Sequence, residues 1–438
     1  MKEYLRMIVV GCVLLSTSLS WGADWPQFGG PARDGKSSET GLLNKWPAGG
    51  PKELWSVEGL GIGYSSAAVA GGYVYTTGMV GKDKQGICFA FDLNGRPKWT
   101  ASYGRDWNGS HEGARTTPTV DGDRVYVFSG YGNLVCFDAK TGEQKWAVDT
   151  LEKFEGQNLK WGLSESVLIY GDKAICTPGG KDATMVALNK MNGETIWTTK
   201  GLRTAKGLCE KAAYCSPVVV ELSGKPLIAT NVQKSIILVD PDNGEVVHRI
   251  GHEKRHDLAA VSPVVSGRYL YVTTGYTRDG APDPNEFPDR GRMFELKPDG
   301  SGYELKWTER KLDCHHGGVV LIDGHIHGSS SAIYPPASKE EVIGMWYCLE
   351  LATGKIKYEA KLVGKGSVIY ADDMLYCYGE GGVVGLVRIM PTGYEMVSSF
   401  EITKGTDEHW AHPSISDGRL YIRHGNALMA YDIKGNQQ

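Results

Sequence analysis

The sequence predicts an all-β protein, an eight-bladed β-propeller, and three observations predict it. First, 58 of the 438 residues are glycine, about 13%, against an ordinary usage of about 7%. Proline is not in excess, so the glycines point to many tight turns and many short strands. Second, one segment recurs along the whole chain: a Val-Tyr-type strand, a glycine-rich turn, a strand ending in Asp or a stand-in, then Gly, three residues and Trp. Third, the chain's two ends are complementary. The segment GGPKELW ends at Trp55 with no blade before it, and the final copy, YDIKG, stops at Gly435 with no Trp after it. An N-terminal strand that completes the C-terminal blade closes a ring and leaves only short, protected edges.

Each copy justifies one blade. FDLNGRPKW ends at Trp99, FDAKTGEQKW at Trp146 and LNKMNGETIW at Trp197. VDPDNGEVVH ends at His248, LKPDGSGYELKW at Trp307 and LELATGKIKY at Tyr358. VRIMPTGYEM, ending at Met396, is the weakest copy, and it makes seven blades the fallback. Glu53 to Gly435 divided by eight is about 48 residues per blade, which fits four strands each. In every copy the Asp and Gly build the turn between the third and fourth strands. The Trp offers a large apolar face to the neighbouring blade, so Trp55, Trp99, Trp146, Trp197 and Trp307 are assigned to structure.

Ahead of the ring, residues 1–22 read as a secretory signal. Lys2 and Arg6 precede an apolar run from Met7 to Leu15, and small residues stand at Ser20 and Gly22. A lipid-attachment reading of Val9-Val10-Gly11-Cys12 is disfavoured, because the apolar stretch before Cys12 is too short. Residues 23–52 form a lead-in, and 53–438 a single propeller domain. No other segment has the length of a membrane span, so the expected location is periplasmic or secreted. A net charge of -4 with balanced acids and bases excludes a nucleic-acid binder, and 10% aromatic residues exclude a disordered chain. Most of the eight cysteines beyond Cys12 lie in strand-like runs and read as small buried apolar residues. Cys209 and Cys215 sit in a loop and are candidates to pair.

The repeat resembles the pyrroloquinoline-quinone-like (PQQ-like) repeats of the quinoprotein alcohol dehydrogenase superfamily, a group that includes the outer-membrane assembly propeller lipoprotein. The opening DWPQFGGPARDG, Asp24 to Gly35, is similar to the lead-in of secreted bacterial members. The resemblance implies the propeller fold and is weak for activity. In the family's enzymes it implies a quinone beside a disulfide of adjacent cysteines, a stacking Trp, a calcium held by acidic and amide side chains, and an Asp base. This chain has no adjacent cysteines and no haem-attachment motif, and it is shorter than typical members. The acidic stretch Asp279, Asp283, Glu286, Asp289 reads as a solvated insertion. PQQ and calcium are therefore not favoured as cofactors, and the cofactor is left unknown.

Ligand sites in a propeller gather on the loops leading into each blade's innermost strand. Counting back from the Val-Tyr anchor aligns Tyr64, Arg115, Ser164, Tyr214, Ala260, His316 and Trp410, with Lys365 or Gly366 in blade seven. Seven of the eleven histidines fall in or just before these loops: His111, His252, His256, His315, His316, His409 and His412. The resulting candidates are His111, Arg115, His316 and His412 for catalysis. Tyr64, Glu112, Trp161, Tyr214, His256, His315, His409 and Trp410 are the candidates for ligand binding. No metal ligands are assigned, although three histidines can hold a divalent transition metal. His325 and His327 share one strand face, a spacing that permits chelation but more often marks an ordinary strand pair.

Aromatic rings beside Arg and carboxylates suit saccharides, and histidine suits acid–base work near neutral pH. The first functional expectation is a propeller whose axial funnel binds a small molecule or carbohydrate; if it is an enzyme, histidine-based chemistry, with or without a metal, is favoured over quinone-dependent oxidation. The alternatives are a scaffold for a periplasmic protein partner, and a quinone-dependent alcohol or sugar dehydrogenase.

Overall fold

The computed structural model describes residues 23–204, 206–251, 257–276, 290–330 and 344–435. The signal segment, His252, His256 and the acidic stretch around Asp283 lie outside the described residues.

Eight four-stranded antiparallel sheets follow one another along the chain. Blade one consists of Ala68–Ala70, Tyr73–Val80, Gln85–Asp92 and Pro97–Arg105, from the axis outward. The later blades begin at Thr119–Asp121, Leu168–Tyr170, Val218–Leu222, Val264–Ser266, Val319–Ile322, Gly366–Ala371 and Ser414–Ser416. Blade eight takes its outer strand, Lys52–Val57, from the N-terminal side; Trp55 stands opposite Ala430, and Lys52 opposite Asp432. The fallback count of seven is thus set aside. The seventh copy is a regular four-stranded sheet whose outer hairpin turns tightly between Met390 and Gly393, without the Asp turn that marks the others.

The repeat residues explain one another across blades. Asp92 Oδ1 accepts from the backbone N–H of Asn94 and Arg96 at 2.9 and 3.0 Å, which fixes the turn. That turn presents Leu93 O to the indole N–H of Trp55 at 2.8 Å. Trp99, Trp146, Trp197 and Trp307 donate likewise to Ala139, Lys190, Pro241 and Leu351 of the following blade, at 2.9 to 3.0 Å. The turn glycine lies flat on the preceding blade's indole. A Cβ on Gly95 would lie 2.6 Å from Trp55 Cδ2, and one on Gly244 2.5 Å from Trp197 Cε3. Gly is therefore required both for φ near +76° and for the close approach. Where Trp is replaced, the docking changes: His248 meets Tyr303 edge-on, and Tyr358 meets Tyr394 at 4.9 Å.

A belt of hydroxyls joins the inner strands around the channel. His412 N–H donates to Ser66 Oγ, Ser66 N–H to Thr117 Oγ1, and Thr117 N–H to Ser166 Oγ. Ser166 N–H then donates to Ser216 Oγ, and Ser216 N–H to Ser262 Oγ, all at 2.9 to 3.2 Å. The lead-in closes one end of this channel. Trp25, only 1% exposed, bridges to Val69, Pro26 O accepts from Val120 N–H, and Gly35 O accepts from Tyr370 N–H. Arg33 points into the axis and donates to the carbonyls of Ser166, Val167 and Pro217 and to Gln27 Oε1. Downstream, Trp46 packs edge-on against Phe400, and Leu42 pairs with Lys434, wrapping blades seven and eight.

None of the eight described cysteines is in a disulfide, so Cys209 and Cys215, the candidates to pair, stand unpaired. Cys215 is buried beside Thr230 Oγ1 at 3.5 Å, whereas Cys209 Sγ turns to Gly179 O. His327 is buried, with Nδ1 donating to Tyr394 Oη at 2.9 Å, and His325 Nδ1 turns to Asp323 O, so the two form a strand pair with separate partners.

Candidate functional site

Opposite the plug, the loops leading into the inner strands build a mouth. The structure resolves blade seven's contribution: Lys365 stands six residues before the end of its inner strand, as Tyr64, Arg115, Ser164, Ala260, His316 and Trp410 do in theirs. Tyr214 occupies the corresponding place in blade four, whose first hairpin is two residues longer. The loops are stitched together by Tyr64 N–H to Ala114 O at 2.7 Å, Ser164 Oγ to Tyr214 O at 2.8 Å and Tyr214 N–H to Ala259 O at 3.0 Å.

Trp410 is the centre of the mouth. Its ring lies 4.8 Å from Tyr64, 5.3 Å from His111 and 5.4 Å from His316, all tilted. Trp161 and Tyr214 form a second aromatic pair at 5.7 Å, with the Lys160 ammonium 4.7 Å over the Trp161 ring. Arg115 joins the two groups. It donates to the carbonyls of Trp161, at 2.6 Å, and His111, and its guanidinium sits 5.8 Å over Tyr64. Its donors hold loops, which makes it a strut. Glu112 pairs with Lys84 at 2.8 Å on the rim, where Asp407 and Glu408 are exposed.

The polar centre is a four-residue cluster. His316 Nε2 lies 2.7 Å from Glu380 Oε1, and Lys365 Nζ lies 2.8 Å from the same oxygen. Lys365 Nζ also reaches His315 Nδ1 at 3.1 Å, and the two imidazoles are 4.9 Å apart. The approach of His316 to Glu380 is oblique: both ring nitrogens of His316 and Glu380 Oε1 are buried, and none of the three makes a hydrogen bond. Burial, with His316, Lys365 and His111 nearby, drives His315 well below its ordinary value. Burial also lowers His316, against the opposing pull of Glu380. Burial alone would raise Glu380; its contacts with His316 and Lys365 outweigh that and hold it below the usual carboxylate range.

Two candidates lie elsewhere. His412 sits one layer deeper, at the belt position, where Gly318 leaves room for its ring. Its Nε2–H donates to His316 O at 2.7 Å, Phe28 of the plug packs edge-on at 4.8 Å, and burial holds it down to about 4. His409 turns away from the mouth to bond Tyr378 Oη at 2.6 Å and to stack on His424 at 3.6 Å. Between plug and mouth lies a cavity of about 260 Å³, lined by Phe28, Arg33, Val261, His316, Val368 and His412 among others.

Sequence reasoning passed over Glu380 and Lys84. Both lie in the loop between a blade's second and third strands, to which counting back from the first hairpin gives no register. Lys365 was blurred because the first turn of blade seven uses Asp372 and Asp373 at positive φ in place of the usual glycine.

The repeat implies a quinone with calcium, and the donor set at the mouth does not match them. Calcium needs six or more oxygen ligands, whereas Glu112 and Glu380 are each already paired with a lysine. Among the described residues, no three of His, Cys, Asp and Glu are placed to hold a metal ion. The described residues do not fit a quinone–calcium centre.

Comparison with known proteins bears on the family and the fold. A family model described as outer membrane protein assembly factor BamB matches residues 83–357, more than half of the chain. The quinoprotein ethanol dehydrogenase of Pseudomonas aeruginosa is 28% identical over 160 residues, covering 34% of this chain and 24% of that protein. BamB of Vibrio cholerae is 26% identical over 269 residues, covering 51% and 65%. The chain thus spans about a quarter of the length of the dehydrogenase. Among solved structures, the quinohemoprotein alcohol dehydrogenase of Comamonas testosteroni superposes with TM-score 0.66 at 14% identity, covering 95% of this chain and 81% of that one. BamB from Moraxella catarrhalis superposes with TM-score 0.59 at 16% identity, covering 88% and 98%. These superpositions speak to the fold.

Proposed function

The chain belongs to the PQQ-like β-propeller repeat family, and from that premise we propose that it is a periplasmic or secreted propeller whose axial mouth binds a small saccharide-like ligand. One observation carries the reading. Half-buried aromatic and imidazole side chains from loops far apart in sequence (Tyr64, Trp161, Tyr214, His315, His316 and Trp410), with the exposed His111 beside them, converge on one opening. A scaffold alone does not call for that composition. Ring faces stack on sugar rings, and the mixed cations and carboxylates around them supply donors and acceptors for hydroxyl groups. The fixed backbone stitching makes the mouth preformed.

A glycan array on the full chain, followed by titration calorimetry on the hits, tests this reading. Trp410→Ala is expected to weaken binding at least 10-fold. A protein that binds no saccharide, or binds one equally well as W410A, contradicts it. The matched family model favours a second reading, a scaffold that binds extended peptides at blade edges. In that case peptide binding persists in W410A.

A further inference from the structure

We propose that the cavity between plug and mouth is a binding site of its own, which takes a small uncharged phenol entering beside blade five. The argument starts from how the lead-in covers the channel. Hydrogen bonds tie it to blades one and two through Trp25 and Pro26, and to the strand entries of three and four through Arg33. Lys36 reaches Leu321 O in blade six, Gly35 pairs with Tyr370 in seven, and Glu39 accepts from Asp417 and Gly418 in eight. At blade five the inner strand Val264–Ser266 is partly exposed at every residue. Among the described residues it is the only inner strand with no buried position. The cavity runs along this strand, with Val264 and Val265 in its wall, and Ala32, the plug residue facing it, is exposed. The gap at blade five is therefore a way in from solvent, separate from the mouth.

The walls decide what fits. Trp25, Phe28, Val261, Val319 and Val368 make them mostly apolar, which leaves water few partners. An apolar cavity of about 150 Å³ takes benzene. On that scale, the cavity's volume of about 260 Å³ holds roughly ten non-hydrogen atoms.

Three polar groups interrupt the walls. His412 donates through Nε2 to His316 O, and burial keeps the ring neutral near neutral pH, so Nδ1 is a lone pair. Ser66 and Ser262 each accept a backbone N–H of the belt and keep a hydroxyl proton to give. Ser66 accepts from His412 itself, so a donor and an acceptor stand on neighbouring residues of the wall. A ligand hydroxyl serves both, giving its proton to His412 Nδ1 and accepting one from serine. A carboxylate would meet that lone pair unfavourably, and Arg33 already spends its donors on the carbonyls of Ser166, Val167 and Pro217. The ligand is therefore uncharged, and Trp25 and Phe28 supply ring partners for an aromatic body.

The test uses the full chain with para-propylphenol and its methyl ether, which has the same body and no proton to donate. Calorimetry should show the phenol binding and the ether binding about 10-fold more weakly. In the wild type, the ring-nitrogen NMR signal of His412 Nδ1 should move on adding the phenol and stay in place on adding the ether. Val264→Phe, at a half-exposed position away from the mouth, should narrow the cavity and weaken phenol binding about 10-fold, while any saccharide binding at the mouth is kept. A wild type that does not bind the phenol, equal binding of the ether, an unmoved His412 signal, or equal binding by V264F each overturns the proposal.

Discussion

The two ends of the channel are built from the same inner strands and are finished in opposite ways. At the plugged end the polar groups are used up: Arg33 is buried, and its donors meet three backbone carbonyls and Gln27. At the mouth, most rings remain half-buried, and both nitrogens of His316 are buried without a hydrogen bond. Leaving a buried polar group unpaired costs about 1–3 kcal/mol. The plugged end avoids that cost, and the mouth carries it. The difference separates an end built for stability from an end that leaves polar and aromatic groups unspent.

Several changes would break or sharpen this contrast. Arg33→Ala strikes the plugged end hardest. It orphans the carbonyls of Ser166, Val167 and Pro217 and empties the axis, and it should remove about 3–5 kcal/mol of stability, read from urea midpoints, while any ligand affinity at the mouth is kept. Gly244→Ala comes next, because its methyl would meet the Trp197 ring and the residue is held at φ +77°. A loss of about 2–3 kcal/mol is expected, compared by the same method with Gly207→Ala, where nothing stands nearby.

Acid should act through the channel histidine. Burial holds His412 down to about 4 in the fold, against 6.5 when free. Its contribution is complete above about pH 6.5 and is lost as pH falls toward 4, because the unfolded chain takes up the proton first. Glu165, lifted by burial to about 7, works the other way between 4.5 and 7. Glu165→Gln should therefore steepen the acid loss seen in urea midpoints from pH 7 to 4. A flatter profile would contradict that opposition. The smallest effect on stability belongs to the mouth: His111→Ala, at an exposed side chain, should change stability by less than about 0.5 kcal/mol and yet weaken saccharide binding.

The fold was legible because its signals are local and repeat. Asp92 with Gly95, and their later copies, mark turns, and each Trp marks a docking surface whatever the rest of the blade contains. Blade seven was faint because Met396 replaces the Trp and its first turn has no Gly. The candidate site was legible where a register exists: Tyr64, Arg115, His316 and Trp410 stand at one counted position and do face one another. His409 was misassigned to the mouth because sequence neighbours on a loop can point to opposite sides. Glu380 was missed because its contacts come from the entry loops of its own blade and of the preceding one, which no spacing aligns with it. The use of the PARDG segment as a plug, with Arg33 inward, follows from shape, which no spacing in the chain records.

The closing strand Lys52–Val57 has a consequence for how the chain is made. Its partner, Ala427–Asp432, is synthesised after the seven preceding blades. Plug, wrap and closing strand all precede the first complete blade in the chain, yet the wrap and the closing strand find their places only on blades seven and eight. During synthesis Trp46, whose partner Phe400 lies in blade seven, and the closing strand around Trp55 must wait while the blades form. Assembly of this ring therefore finishes on a strand made before its first blade, and removal of Ala427–Asp432 would leave Lys52–Val57 without its partner.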